Sequence, residues 1–432
     1  MNRIVPLSPI AATSVLAPSV RFLNGEVHQW YRMVLGYPDH LVAGLLDRLE
    51  TTEESRVLDP FCGSGTTLVE CMKRGIKAVG IDANPAGVMA ATVKTNWSLN
   101  DGRLSELLEA TLRSARVRAR SRTTRYQSDA TYRYLSSSGM IRRGWISGRP
   151  LKKAIAIKRA IKALPTNASY KNALLLCLIS EVVFHASNVK FGPEIYCSKR
   201  KVDVDVLSGF ANRVHQMVDD LRLVANCDSA PPAVVVRGDA RKCGTLLRAR
   251  KFDRCICSPP YPTEHDYTRN ARLELAFLEQ VTDIESLRAV KKSMIRSHSK
   301  NIYKSDRDND KSDIGAHEAI VKLAAKLRRK VKGTHGFVEL YPDVVLQYFG
   351  GMKHHFKSLK KILAPGARCA YVVGDQSSYC GVHIPTADLL GTVLKSLGFV
   401  DISIVNWRGR WSTSRSQEVD ENILFFSTSS EA

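Results

Sequence analysis

Two short stretches hold residues whose types and spacing could act on a planar base. The first is Ser258-Pro259-Pro260-Tyr261. Two adjacent prolines fix the backbone and remove two N–H groups, which leaves the local carbonyls free to accept. The serine adds a hydroxyl acceptor, and a tyrosine ring closes the unit. Such a site suits an exocyclic amino group: its hydrogens go to Ser258 Oγ and a prolyl carbonyl while Tyr261 stacks on the ring. Those bonds draw the nitrogen lone pair out of conjugation and make it nucleophilic. The competing reading of Pro-Pro alone is a connecting turn.

The second stretch is Asp59-Pro60-Phe61-Cys62-Gly63-Ser64-Gly65-Thr66-Thr67. An apolar strand runs into a turn of small residues, and a helix begins at Thr66. Gly63 and Gly65 let the backbone turn sharply and approach a ligand. The next apolar strand, Lys77 to Asp82, ends in a carboxylate placed to hold ribose hydroxyls. A third, Ala233 to Arg237, leads to Asp239, positioned either to touch a nucleoside base or to end a strand. Cys62 and Cys257 read as packing, and the sequence offers no metal-ligand cluster.

These residues sit at the ends of strands that alternate with helices. Phe252 to Cys257 gives a fourth strand, Arg368 to Asp375 a fifth, and Val400 to Asn406 and Glu421 to Phe426 the last two. Asp343 to Leu363 reads as a helix ending at Ala364-Pro-Gly366, and Ala387 to Leu397 as another. The expectation is an α/β fold with a doubly wound, mostly parallel seven-stranded sheet. A large, basic, helical insertion at 94–232 interrupts it. From Arg113 to Lys162 basic residues dominate, with Tyr126, Tyr132, Tyr134 and Trp145 among them. That composition suits phosphates and stacked bases, or else a solvated pair of basic helices. Asn172 to Ala186 reads as an apolar helix, and Phe191 to Tyr196 with Lys199-Arg-Lys201 as a loop. Ser297 to Asp313 reads as a mobile loop. Residues 1–26 form an arm, and 27–93 with 233–432 form the main domain.

The 432 residues carry 64 Lys+Arg against 42 Asp+Glu, a net charge of +22. This favours a polyanionic partner. No apolar run is long enough to span a membrane, and the scattered cysteines suit buried free thiols in a reducing cytosol rather than zinc or disulfides.

Asp59 to Thr67 together with Ser258 to Tyr261 resembles the amino-methyltransferases of DNA, enzymes with a Rossmann-like class I methyltransferase fold. The resemblance implies S-adenosyl-L-methionine as cofactor, held by Asp59, Pro60, Phe61, Gly63, Ser64, Gly65 and Thr66. Asp82 would bind its ribose, Asp239 would lie near its adenine, and His28 belongs to a segment that closes over it. Ser258, Pro259, Pro260 and Tyr261 would be catalytic, with no metal. The serine form is typical of enzymes that make N4-methylcytosine; Asp or Asn there is commoner for N6-methyladenine. Double-stranded DNA is then the partner, with the target base flipped and a restriction enzyme as a further partner. Adenine N6, an RNA amino group, or a non-enzymatic DNA-binding subunit are the alternatives. Base recognition falls to the insertion or to Thr268–Gly336, and Thr413-Ser-Arg415 has the look of a family element without an assigned role.

Overall fold

The computed structural model describes residues 27–430 apart from 35, 122–125, 192–194, 226–230, 249, 304–312, 315–316, 378 and 413–416. The expected arm at 1–26 and Thr413-Ser-Arg415 lie outside the described residues.

Nine strands are described: β1 (Arg56–Asp59), β2 (Lys77–Asp82), β3 (Val189–Phe191), β4 (Ile195–Cys197), β5 (Val234–Arg237), β6 (Phe252–Cys257), β7 (Leu363–Gly374), β8 (Val400–Ser412) and β9 (Gln417–Ser427). Seven form one sheet in the order β5-β2-β1-β6-β7-β9-β8, and β3 pairs with β4 apart from it. The pairs from β5 to β7 are parallel, and β9 runs antiparallel to both β7 and β8. From β1 the chain winds outward through β2 to β5, then returns to β6 on the other side. That reversal between β1 and β6 opens a crevice at their carboxyl ends. The doubly wound sheet expected from the strand pattern is present.

Three boundaries differ from expectation. The last two strands are longer, because they pair with each other well beyond their apolar centres. β7 begins at Leu363, so Ala364-Pro-Gly366 belongs to a strand rather than to a helix end. Within 191–196, Phe191 ends β3 and Ile195 and Tyr196 belong to β4, which pairs antiparallel with it, where alternation was too short to read.

Within 94–232, the helices Asp101–Arg120, Gly148–Lys162, Ala168–Glu181 and Val206–Val224 pack around Leu108, Ile155, Leu178 and Phe210, all fully buried. The apolar helix expected to end at Ala186 closes with a π-helical turn, Val182–Ala186. Two of the four aromatics expected to face a base do not: Tyr134 and Trp145 are buried in this core. Lys158 is also buried, paired with Asp129 and 2.9 Å from Glu279 Oε1. Helical spacing put these groups on inward faces, and the composition of the stretch concealed it.

The mobile loop expected over Ser297–Asp313 is corrected at its start, while 304–312 lie outside the described residues. Arg296, Ser297, His298, Ser299 and Asn301 are all buried. Ser299 donates to Glu264 Oε2 at 2.8 Å, and Tyr379 donates to the Ser297 carbonyl at 3.0 Å. Polar composition signals a solvated loop only when the polar groups lack internal partners.

Candidate active site

β1 ends at Asp59, and the turn that follows packs against β2. Cys62 N–H donates to the Ile81 carbonyl at 2.9 Å. Gly80 makes room for this contact: a Cβ there would lie 2.8 Å from both Cys62 Sγ and Leu68 Cδ1. The helix Thr66–Lys73 then starts from Gly65, whose φ of 86° is left-handed. The turn thus comes to rest across the carboxyl ends of β1 and β2.

Asp82 ends β2 at the edge of this turn. Its Oδ2 accepts from Gly63 N–H at 2.8 Å and its Oδ1 from Asn84 N–H at 2.7 Å. Burial raises the carboxyl to about 6, against these two bonds. Asn84 caps the next helix through its Oδ1, while its buried Nδ2 has no partner. A strand-end carboxylate with lone pairs to spare and an unsatisfied amide donor beside it suit a polyhydroxylated ligand.

The cleft is bounded by the turn, by Asp82 to Asn84, by Asp239 and Ala240, and by Ser258 to Tyr261. Four strand ends widely separated in sequence therefore share one cavity. Of the cofactor-directed residues, Pro60, Phe61, Gly63, Ser64, Thr66, Asp82 and Asp239 line it. Asp59, Gly65 and His28 do not. Asp59 is fully buried and accepts from Thr67 Oγ1 at 2.6 Å, Tyr37 Oη at 2.8 Å and Phe61 N–H at 3.0 Å. Burial raises it to about 7. It braces the turn from behind. Gly65 faces Ala91, which a Cβ would meet at 3.1 Å.

His28 is buried against Glu70, 2.7 Å away, and burial lowers its pKa. Candidate ligand atoms of His28, Asp39 and Glu70 lie within 4.8 Å of one another, a convergence the sequence did not reveal. Lys73 already stands 2.9 Å from Glu70 Oε1. The segment after His28 does reach the cleft, through Met33 and Tyr37. Asp239 is held by Arg241, whose guanidinium spans both carboxylate oxygens at 2.9 to 3.1 Å.

Ser258 Oγ lies 3.2 Å from Tyr261 Oη, and Tyr261 Oη donates to Glu421 Oε1 at 3.0 Å. Arg408 Nε grips the other oxygen of Glu421 at 2.6 Å. Glu421 and Arg408 come from β9 and β8 and line the cleft with Trp407, whose buried Nε1 has no partner. These three were missed because they sit in two strands that read only as sheet edge. Residues of the 293–301 segment also line the cleft, where burial lowers His298 to about 4 and leaves it neutral. Asn301 adds an unpartnered Oδ1. Burial pushes the Cys62 and Cys257 thiols well up, so neither is poised as a thiolate.

The sheet order and the cleft at its switch point define a Rossmann-like class I methyltransferase fold. Residues 36–92 match the family model described as DNA methylase. The chain is 21% identical over 437 residues to the type II methyltransferase M.BsoBI of Geobacillus stearothermophilus, covering 91% of this chain and 82% of that one. It is 24% identical over 406 residues to type II methyltransferase M.AvaI of Nostoc sp., covering 86% and 79%. Likeness to solved structures is weak. The rRNA methyltransferase aviRa from Streptomyces viridochromogenes matches at a TM-score of 0.30 and 12% identity, over 96% of this chain and 91% of its own. The fold assignment therefore rests on the strand order itself. The family-model match at 36–92 and the type II methyltransferase relatives support the DNA amino-methyltransferase family, with S-adenosyl-L-methionine as methyl donor. Among the described residues, no helix is long and apolar enough to cross a membrane.

Proposed function

We propose that the protein methylates the exocyclic N4 of cytosine in double-stranded DNA. The observation that carries the amino-group chemistry is the chain from Ser258 through Tyr261 to Glu421. An ionised carboxylate only accepts, so Tyr261 must donate its single hydroxyl hydrogen to Glu421. In the Ser258–Tyr261 contact the serine is then the donor. With its hydrogen so directed, Ser258 Oγ presents lone pairs, the complement of an amine N–H. Serine at this position, by family resemblance, favours cytosine.

Asp82 would accept from the ribose hydroxyls of the cofactor, Asn84 Nδ2 would donate to it, and Gly63 and Ser64 would let the backbone lie close. When bound, S-adenosylmethionine supplies a methyl group made electrophilic by its sulfonium. Ser258 and the carbonyls of the prolyl pair would then hold the amine in line and draw its lone pair toward that carbon. Orientation of this kind supplies roughly 7 to 11 kcal/mol. A stacked base cannot enter the cleft, so the target is flipped out at a cost of a few kcal/mol. The type II relatives support a restriction enzyme of the same site as partner.

Mass spectrometry of nucleosides from DNA exposed to the protein tests this directly. N4-methylcytosine is expected, and Ser258→Ala should lower kcat about 100-fold with the cofactor Kd within twofold. N6-methyladenine without N4-methylcytosine would overturn the choice of base.

A further inference from the structure

Beside the cleft lies a second concavity, walled by Met140, Arg143, Trp145, Arg269, Arg272 and Lys300. Four of its six walls are cationic and none is a carboxylate. Acids on the neighbouring elements are already committed. Asp266 holds Lys291 at 2.7 Å and caps the helix Tyr267–Asn270, and Glu264 accepts from Ser299. A fifth cation lies against Gly144, between Arg143 and Trp145 in sequence. Gly144, with φ +80°, leaves space for Arg200, whose Nε would lie 2.8 Å from a Cβ there.

The cations arrive from separate parts of the chain. Arg143 and Trp145 belong to the insertion; Arg269, Arg272 and Lys300 follow β6. Burial of Trp145 and Met140 makes the floor rigid, and Arg272 is held by Tyr134 Oη at 3.4 Å and the Thr268 carbonyl at 3.3 Å. Like charges gathered in a concave, partly desolvated site repel one another unless an anion enters. The position of the site indicates which anion. Tyr267, His298 and Asn301 line the catalytic cleft, while Arg269 and Lys300, one or two residues away, line this cavity. A strand whose base occupies the cleft has its neighbouring phosphates within reach.

We propose that this cavity seats a backbone phosphate of the DNA strand that carries the target base, so that the insertion and the segment after β6 grip the strand together. The inference rests on DNA being the substrate but not on which base is methylated. Arg143 and Lys300 are exposed and outside the reaction machinery, so Arg143→Ala and Lys300→Ala should leave folding, cofactor Kd and kcat at saturating DNA unchanged. Duplex binding measured across salt concentrations should lose about 0.9 from the slope of log K against log [salt] for each variant, and about twice that for the double. An unchanged slope overturns the proposal. So does an equal loss from Lys322→Ala with Lys326→Ala, which would mark a diffuse field, or a loss seen on RNA duplexes alone. A wild type that binds no duplex DNA defeats the substrate reading as well, whereas normal slopes with adenine as product defeat only the choice of base.

Discussion

Asp82 has a pH dependence that can be worked out from its surroundings. Burial holds it at about 6, so below that pH it is protonated and a poorer acceptor for ribose hydroxyls. Cofactor affinity should fall as pH drops through about 6, and Asp82→Asn should remove that inflection in titration calorimetry. The same shift works against folding. The native state holds this proton more tightly than the unfolded chain, whose carboxyl titrates near 3.8, so stability is lost as pH rises from there toward 6. For Glu421, truncation to Ala should lower kcat about tenfold or more, whereas Gln keeps an accepting oxygen and should fall less. In double-mutant cycles with Tyr261→Phe the losses should not add, because both act through the Ser258 hydroxyl. Additive losses would mean separate roles. At this scale the sequence was legible where residue type and position coincide, as for Asp82 and Ser258. It was silent on Glu421 and Arg408, since a charged pair on a final hairpin looks like ordinary strand edge until the sheet order brings β9 beside β7. It misdirected at Asp59 and His28, whose polar groups turn inward to Thr67, Tyr37 and Glu70.

Among elements, the turn after β1 depends most on its neighbour. Gly80 sits mid-strand, and Gly80→Ala forces its Cβ into Cys62 and Leu68. Overpacking of this kind costs about 1 to 3 kcal/mol. A lower denaturation midpoint with weakened cofactor binding is expected, measured by urea unfolding and calorimetry; wild-type values for both would show that the turn packs elsewhere. The βαβ pattern made the parallel strands readable, because apolar runs ending in Asp or Ser repeat between helical stretches. The insertion was readable as helical but not in its packing. Its basic residues suggested a surface throughout, yet Lys158 is buried against Asp129 and the partly exposed Glu279.

Across the whole molecule, that buried lysine fastens the insertion to the chain after β6. Glu279 follows the helix Arg272–Phe277, and Lys158 lies within Gly148–Lys162. Lys158→Met leaves Asp129 buried with only Arg159 as a charged partner and should destabilise the protein by about 3 to 5 kcal/mol. Hydrogen exchange should show the loss spreading through both segments; exchange changed only near residue 158 would refute the fastening. The net charge of +22 pointed to a polyanion from the start. Which cations converge is a tertiary fact, since Arg143 and Lys300 share one cavity across more than 150 residues of sequence.

The site is also spread out in time. On the ribosome the glycine turn emerges more than 350 residues before Glu421 is added. At about 5 to 20 residues per second the interval is some tens of seconds. Until β9 pairs with β7, Ser258 has no carboxylate to direct its hydrogen, and the nascent chain can hold a donor pocket without a working acceptor. A chain that stopped short of β9 would keep the turn and lack that carboxylate.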